Sequence, residues 1–182
     1  VIIPTIAQMQ HPETIPEKIQ EKLKTVGLWD VNPLNLFRIT WKNEAKETGG
    51  LYQAVPNFVE IPSELSGVPC RILAMAGKWF PTGCHKVGAS FGCLAPRLVT
   101  GQFDATYHHA VWPSTGNYCR VGAFNSKLLA VDSVAILPAE MSKERFDWLS
   151  KIAGQAIATP GCESNVKEIV DKPGELKQDP ST

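Results

Sequence analysis

The sequence carries no excess of either charge. Eighteen Lys and Arg residues balance eighteen Asp and Glu residues, so the formal net charge is +0. That removes the broad basic surface by which proteins hold nucleic acid or an anionic membrane. No apolar run approaches the ~18 residues needed to span a bilayer, so no membrane partner is expected. The opening Val1-Ile2-Ile3-Pro4 is too short for a signal peptide and lacks its basic flank. The five cysteines, Cys70, Cys84, Cys93, Cys119 and Cys162, include no CxxC pair. An odd set of thiols among small and apolar neighbours fits a reducing, cytoplasmic setting better than a disulfide framework. His108-His109 has no further ligands at metal-site spacing, so no metal centre is expected. Trp29, Trp41, Trp79, Trp112 and Trp148 are scattered, which suits core or interface packing rather than a base-stacking platform. There is no internal repeat and no low-complexity tract.

What is present is enough chain for one sizeable core plus a small lobe: 182 residues, 43% of them hydrophobic. Ile15, Ile19, Leu23 and Val26 recur at helical spacing, which predicts a helix over 12–27 with Pro16 in its first turn and Gly27 at its end. Residues 28–69 are rich in breakers (Asn32-Pro33, Pro56, Pro62, Gly67, Pro69). We read 1–70 as an N-terminal helix and extended segment packing on a larger body, with short strands near 36–41 and 58–61.

From residue 71 the pattern alternates. Strands are expected over 71–80, 107–112, 131–137 and 155–159, and helices over 86–98, 117–130, from Ser142 to about 153, and from 164 to 171. This order predicts an α/β fold: a parallel sheet with helices on both faces, an open three-layer αβα arrangement spanning 71–172. The nearly continuous apolar run at 131–137 fits a strand covered on both sides. Residues 173–182 read as a polar, frayed tail.

Ligands of such sheets bind at the carboxyl ends of the strands, and two strand-to-helix loops are unusual there. The first is Pro81-Thr82-Gly83-Cys84-His85-Lys86-Val87-Gly88-Ala89. It places a primary amine at a helix start, among backbone N–H groups, where an amine can serve carbonyl condensation. A plain solvated lysine is the alternative. The second is Trp112-Pro113-Ser114-Thr115-Gly116-Asn117-Tyr118-Cys119-Arg120. Its hydroxyls and helix N-terminal amides can hold a carboxylate or phosphate. Equally, Ser114, Thr115 or Asn117 can merely cap the helix.

Together the two loops resemble those of the fold-type II pyridoxal-phosphate enzymes, the group of cysteine synthase, serine/threonine dehydratases and the tryptophan synthase β chain. Pro81-Thr82-Gly83-Cys84-His85-Lys86 is similar to their lysine motif, and Ser114-Thr115-Gly116-Asn117 to their substrate-carboxylate loop. The resemblance covers roughly 28–171 and is clearest over 71–171, including Ala158-Thr159-Pro160-Gly161-Cys162-Glu163-Ser164-Asn165. It implies pyridoxal phosphate as cofactor, bound covalently by Lys86, which would also shuttle the Cα proton. It implies that Ser114, Thr115 and the Gly116 and Asn117 amides hold the substrate carboxylate. It further implies that the Asn117 side chain meets the cofactor's phenolic oxygen and that His85 flanks the cofactor.

The family completes its site with a glycine-rich phosphate loop and a residue facing the pyridine nitrogen. Nothing after Asn117 supplies either: Gly154, Gly161 and Gly174 are isolated. The expectation is therefore amino-acid β-elimination or β-replacement by a lyase or synthase whose site is incomplete in this chain alone. A homo-oligomer or a second subunit would complete it. The alternative is a non-catalytic α/β domain, derived from such an enzyme, that binds a ligand or a subunit.

Overall fold

The computed structural model describes residues 1–44 and 51–178. The chain forms two compact units, one of Ile2–His85 and one of Lys86 onward together with Val1.

In the first unit, α1 (Ile6–Gln10) begins at a capping box. Thr5 Oγ1 accepts from the Gln8 N–H, and the Gln8 side chain accepts from the Thr5 N–H. The single helix expected over 12–27 is instead a 3-10 turn, Pro12–Thr14, followed by α2 (Glu17–Leu23). Pro16 divides them, because its extended ψ of 134° makes it the cap of α2 rather than part of its first turn. The strand expected near 36–41 is replaced by a second 3-10 stretch, Pro33–Arg38. Asn32 starts it by accepting the Leu34 N–H at 3.0 Å, and Pro33 supplies a helical φ. The reversal brings buried Arg38 to the C-terminus of α2, where it donates to the Leu23 and Val26 carbonyls. Ile15, Leu23 and Phe37 form the local core, and the Tyr52 hydroxyl donates to the Phe37 carbonyl at 3.0 Å.

A strand stands at β1 (Phe58–Ile61), as expected, and leads through a single turn, α3 (Ser63–Ser66), to β2 (Ile72–Met75). Here the expectation needs correction. The segment 71–80 does not open the parallel sheet; its strand ends at Met75 and pairs antiparallel with β1, Phe58 opposite Met75 and Ile61 opposite Ile72. The short link through α3 permits an antiparallel return but not a parallel crossover.

The second unit runs α4 (Lys86–Val99), β3 (Ala110–Pro113), α5 (Asn117–Leu128), β4 (Ser133–Pro138), α6 (Lys143–Ile152), β5 (Gln155–Thr159) and α7 (Val166–Gln178). The strands pair in the order β3-β4-β5, all parallel. All six residues of β4 are buried, the consequence of helices on both faces. Val134 and Ile136 pack with Ile169 of α7. Ala135 and Leu137 alternate to the opposite face, and α5 packs on β3 and β4. The α/β class and the helix-flanked parallel sheet are as the sequence predicts. The tail is not: α7 continues through Pro173, because Leu176, one heptad beyond Ile169, packs against the same core cluster. Residues 179–182, the end of the expected tail, lie outside the described residues.

Candidate active site

The lysine loop contains a held strain. Pro81–Gly83 is one 3-10 turn in which buried Thr82 has φ +62°. A β-branched residue in the left-handed region costs on the order of 1–3 kcal/mol and persists only where its surroundings fix it. Here the Thr82 N–H donates to the Leu28 carbonyl at 2.9 Å. His85 lays its ring on Trp41, centroids 5.6 Å apart and planes 24° apart.

Lys86 is the exposed first residue of α4. Behind it Val87, Ser90, Phe91, Leu94 and Ala95 are buried, the spacing of one helix face. Asn125 of α5 secures that start. Its side-chain amide donates to the Val87 carbonyl at 2.6 Å and to Ser90 Oγ at 2.7 Å, and all three residues are buried.

The second loop leaves β3 at Pro113. The Ser114 N–H continues the sheet by donating to the Ile136 carbonyl at 3.0 Å. Ser114 Oγ then accepts from the Gly116 N–H at 3.2 Å. Gly116 is the cap residue of α5, and no side chain caps the helix. Ser114, Thr115 and Asn117 are thus not used as ordinary capping residues. Asn117 is exposed, and nothing lies within 4 Å of where a Cβ on Gly116 would stand. The loop is open on that side, with the positive end of α5 behind it.

Trp112 precedes this turn on β3. Its indole lies against Gly122 of α5, where a Cβ would come within 2.3 Å of the ring. Its Nε1–H donates to Ser126 Oγ at 2.9 Å in the interior. Next to it, burial pushes the Cys119 thiol up to about 12, with Arg145 opposing the shift. The Tyr118 hydroxyl, raised to about 12 by burial and by its bond to Cys93, donates to Cys93 Sγ at 3.3 Å.

These contacts decide what is brought together. The first turn of α4 lies beside the third turn of α5, through Asn125. The first turn of α5 faces the middle of α4, through Tyr118 and Cys93. Asn117 and Asn125 are eight residues apart on one helix, which is about 12 Å along its axis. Lys86 and the Ser114–Asn117 turn therefore lie at different ends of the same packed helix pair. The pair thus carries a primary amine at one end and, at the other, uncapped amides with hydroxyls able to hold an anion such as a carboxylate. Asn125, Gly122 and Arg145 are the residues that sequence reasoning missed. Only an Asn at a position facing the core within an apolar helix stripe could have signalled the first.

No family model and no curated protein matches the chain. Solved structures do. The chain is similar to a hydrogen sulfide-producing enzyme from Fusobacterium nucleatum at 20% identity, over 67% of this chain and 39% of that one, with TM-score 0.54. It is similar to the O-acetylserine dependent cystathionine beta-synthase from Helicobacter pylori at 18% identity, over 68% and 41%, with TM-score 0.57. It is also similar to cysteine synthase from Entamoeba histolytica at 17% identity, over 70% and 38%, with TM-score 0.57. The chain has the cysteine synthase-like fold. It spans about two fifths of the length of these enzymes. The fold implied by the resemblance of the two motifs is thus the fold these solved structures share with the chain. Among the described residues, no helix is long and apolar enough to cross a membrane.

Proposed function

We propose that this chain carries the lysine and substrate-carboxylate portion of a pyridoxal-phosphate-dependent enzyme performing β-elimination or β-replacement on an amino acid. The observation that carries this reading is the pairing of two features. Lys86 stands exposed at the start of α4, and α4 is packed on the helix whose uncapped N-terminus is the Ser114–Asn117 loop. The cysteine synthase-like fold supports the same reading.

Lys86 would hold the cofactor and, once released from it, move the Cα proton. Ser114, Thr115 and the Asn117 amide would bind the substrate carboxylate, with the field of α5 favouring its negative charge. The Gly116 N–H, which donates to Ser114 Oγ, would help hold the carboxylate from that same orientation. The Asn117 side chain would orient the ring through its phenolic oxygen. The cofactor supplies an electron sink for the Cα carbanion; the protein supplies position and a proton carrier. The phosphate-binding part would come from further chain, a second copy or another subunit. Five free thiols are in keeping with the cytoplasm.

The test is spectroscopic. Pyridoxal phosphate added to the purified chain should give the visible band of a lysine-bound cofactor, and Lys86→Ala should abolish it. Asn117→Ala should keep the band but shift its position. No band in the native chain, or a band that survives Lys86→Ala, would overturn the proposal.

A further inference from the structure

Arg145 lies in the first turn of α6, outside both motifs. Its Nη1 donates to the carbonyl of Thr115 at 3.4 Å, across 30 residues of sequence. The same peptide unit is held from its other end, because the Gly116 N–H donates to Ser114 Oγ at 3.2 Å. The plane joining Thr115 to Gly116 is therefore gripped at its carbonyl by Arg145 and at its N–H by Ser114. A peptide unit is planar, so fixing both ends fixes its rotation. That rotation sets where the next amide, that of Asn117, is aimed at the head of α5.

Two further features separate this contact from casual surface packing. First, α6 is locked to α5 beside it: the Arg120 guanidinium stands 5.5 Å over the Trp148 ring, and Phe124 stacks on Trp148 at 6.3 Å. Second, Arg145 is half-buried, and among the described residues no carboxylate lies within ion-pair distance of it. Its charge also reaches the Cys119 thiol in the first turn of α5, so a cation sits at the positive end of a helix dipole. Helix stability alone disfavours that placement.

We infer that Arg145 is a positioning residue of the substrate loop. It orients the Thr115–Gly116 peptide unit so that the amides at the start of α5 converge on an amino-acid carboxylate. The inference rests on the reading of Ser114–Asn117 as the carboxylate loop, and it adds α6 to the machinery of that loop.

The experiment uses the full chain in native form and as Arg145→Met and Arg145→Lys, with two readouts. The first needs no cofactor: amide hydrogen exchange at Gly116 and Asn117, followed by NMR. Exchange there should accelerate about tenfold in Arg145→Met, stay unchanged in β4 and α7, and return toward native in Arg145→Lys. The second uses pyridoxal phosphate with L-serine as probe. The visible band should form equally in all three proteins. The L-serine concentration needed to shift it should rise about tenfold in Arg145→Met and recover in Arg145→Lys. Native exchange at Gly116 in Arg145→Met would overturn the inference, as would an L-serine titration in Arg145→Met that superimposes on the native one. Acceleration throughout α5 and β4 would mean global loosening and would overturn it as well. Absence of any band in the native chain would instead overturn the functional reading, and this inference with it. That outcome is told apart by the exchange data, which do not depend on the cofactor.

Discussion

The Asn125 side chain donates to the carbonyl of Val87, the residue after Lys86, at 2.6 Å. One buried amide thereby ties the helix that presents the lysine to the helix that begins at the substrate loop. The same amide nitrogen also donates to Ser90 Oγ, so a single side chain serves two turns of α4.

Replacing Asn125 with Ala removes both bonds that this side chain makes to α4, although Ser90 Oγ still donates to the Val87 carbonyl at 3.2 Å. Losing such bonds without orphaning their partners costs about 0.5–1.5 kcal/mol each. Urea denaturation of Asn125→Ala should show a lower midpoint with an unchanged slope, and the visible cofactor band should weaken because Lys86 is less firmly placed. A native midpoint would mean that the bond does not hold α4.

Gly122 lets the Trp112 indole lie flat on α5. A methyl there would stand 2.3 Å from the ring, and the ring is enclosed in the interior. Gly122→Ala should therefore destabilise by about 1–3 kcal/mol, even though Ala is the better helix former. Tryptophan fluorescence should shift as the Nε1–H loses Ser126. A gain in stability would show that the ring moves aside at no cost.

Thiol chemistry should separate the cysteines. Cys70, Cys93 and Cys162 are exposed, whereas Cys119 is fully buried with its thiol pushed up to about 12. A thiol reagent at pH 8 should label the first three quickly and Cys119 only on unfolding. The sign of the pH effect follows. Because burial raises the folded value, the protonated thiol favours folding below about pH 9, and this contribution is lost as pH rises toward 12. Stability should fall along that alkaline limb, and less steeply in Cys119→Ala. Equal slopes in both proteins would contradict the assignment.

Local pattern makes the second unit legible in the sequence. The apolar run at 131–137 announced a doubly covered strand, β5 stands at 155–159 as expected, and Lys86 and Asn117 both begin helices at the predicted positions. The misreadings came where a local signal met a competing constraint. Pro16 cut one helical period in two, Asn32-Pro33 turned an apparent strand into a 3-10 stretch, and β2 took β1 as partner because that strand lay close in sequence. The capping box at Thr5 and Gln8 is legible as Thr-Ile-Ala-Gln, though the helix it opens is only five residues long. Arg145 carries no sequence signal and Asn125 only its place in an apolar helix stripe, since each acts through a bond spanning 30 residues or more.

The central claim, that Lys86 is the residue that binds pyridoxal phosphate, has a direct measurement. The chain is loaded with pyridoxal phosphate, reduced with borohydride to make the lysine linkage permanent, digested and mapped by mass spectrometry. The phosphopyridoxyl group should be found on the peptide carrying Lys86 and be lost in Lys86→Ala. Label spread over exposed lysines such as Lys143 and Lys167, with none enriched at Lys86, would contradict the claim.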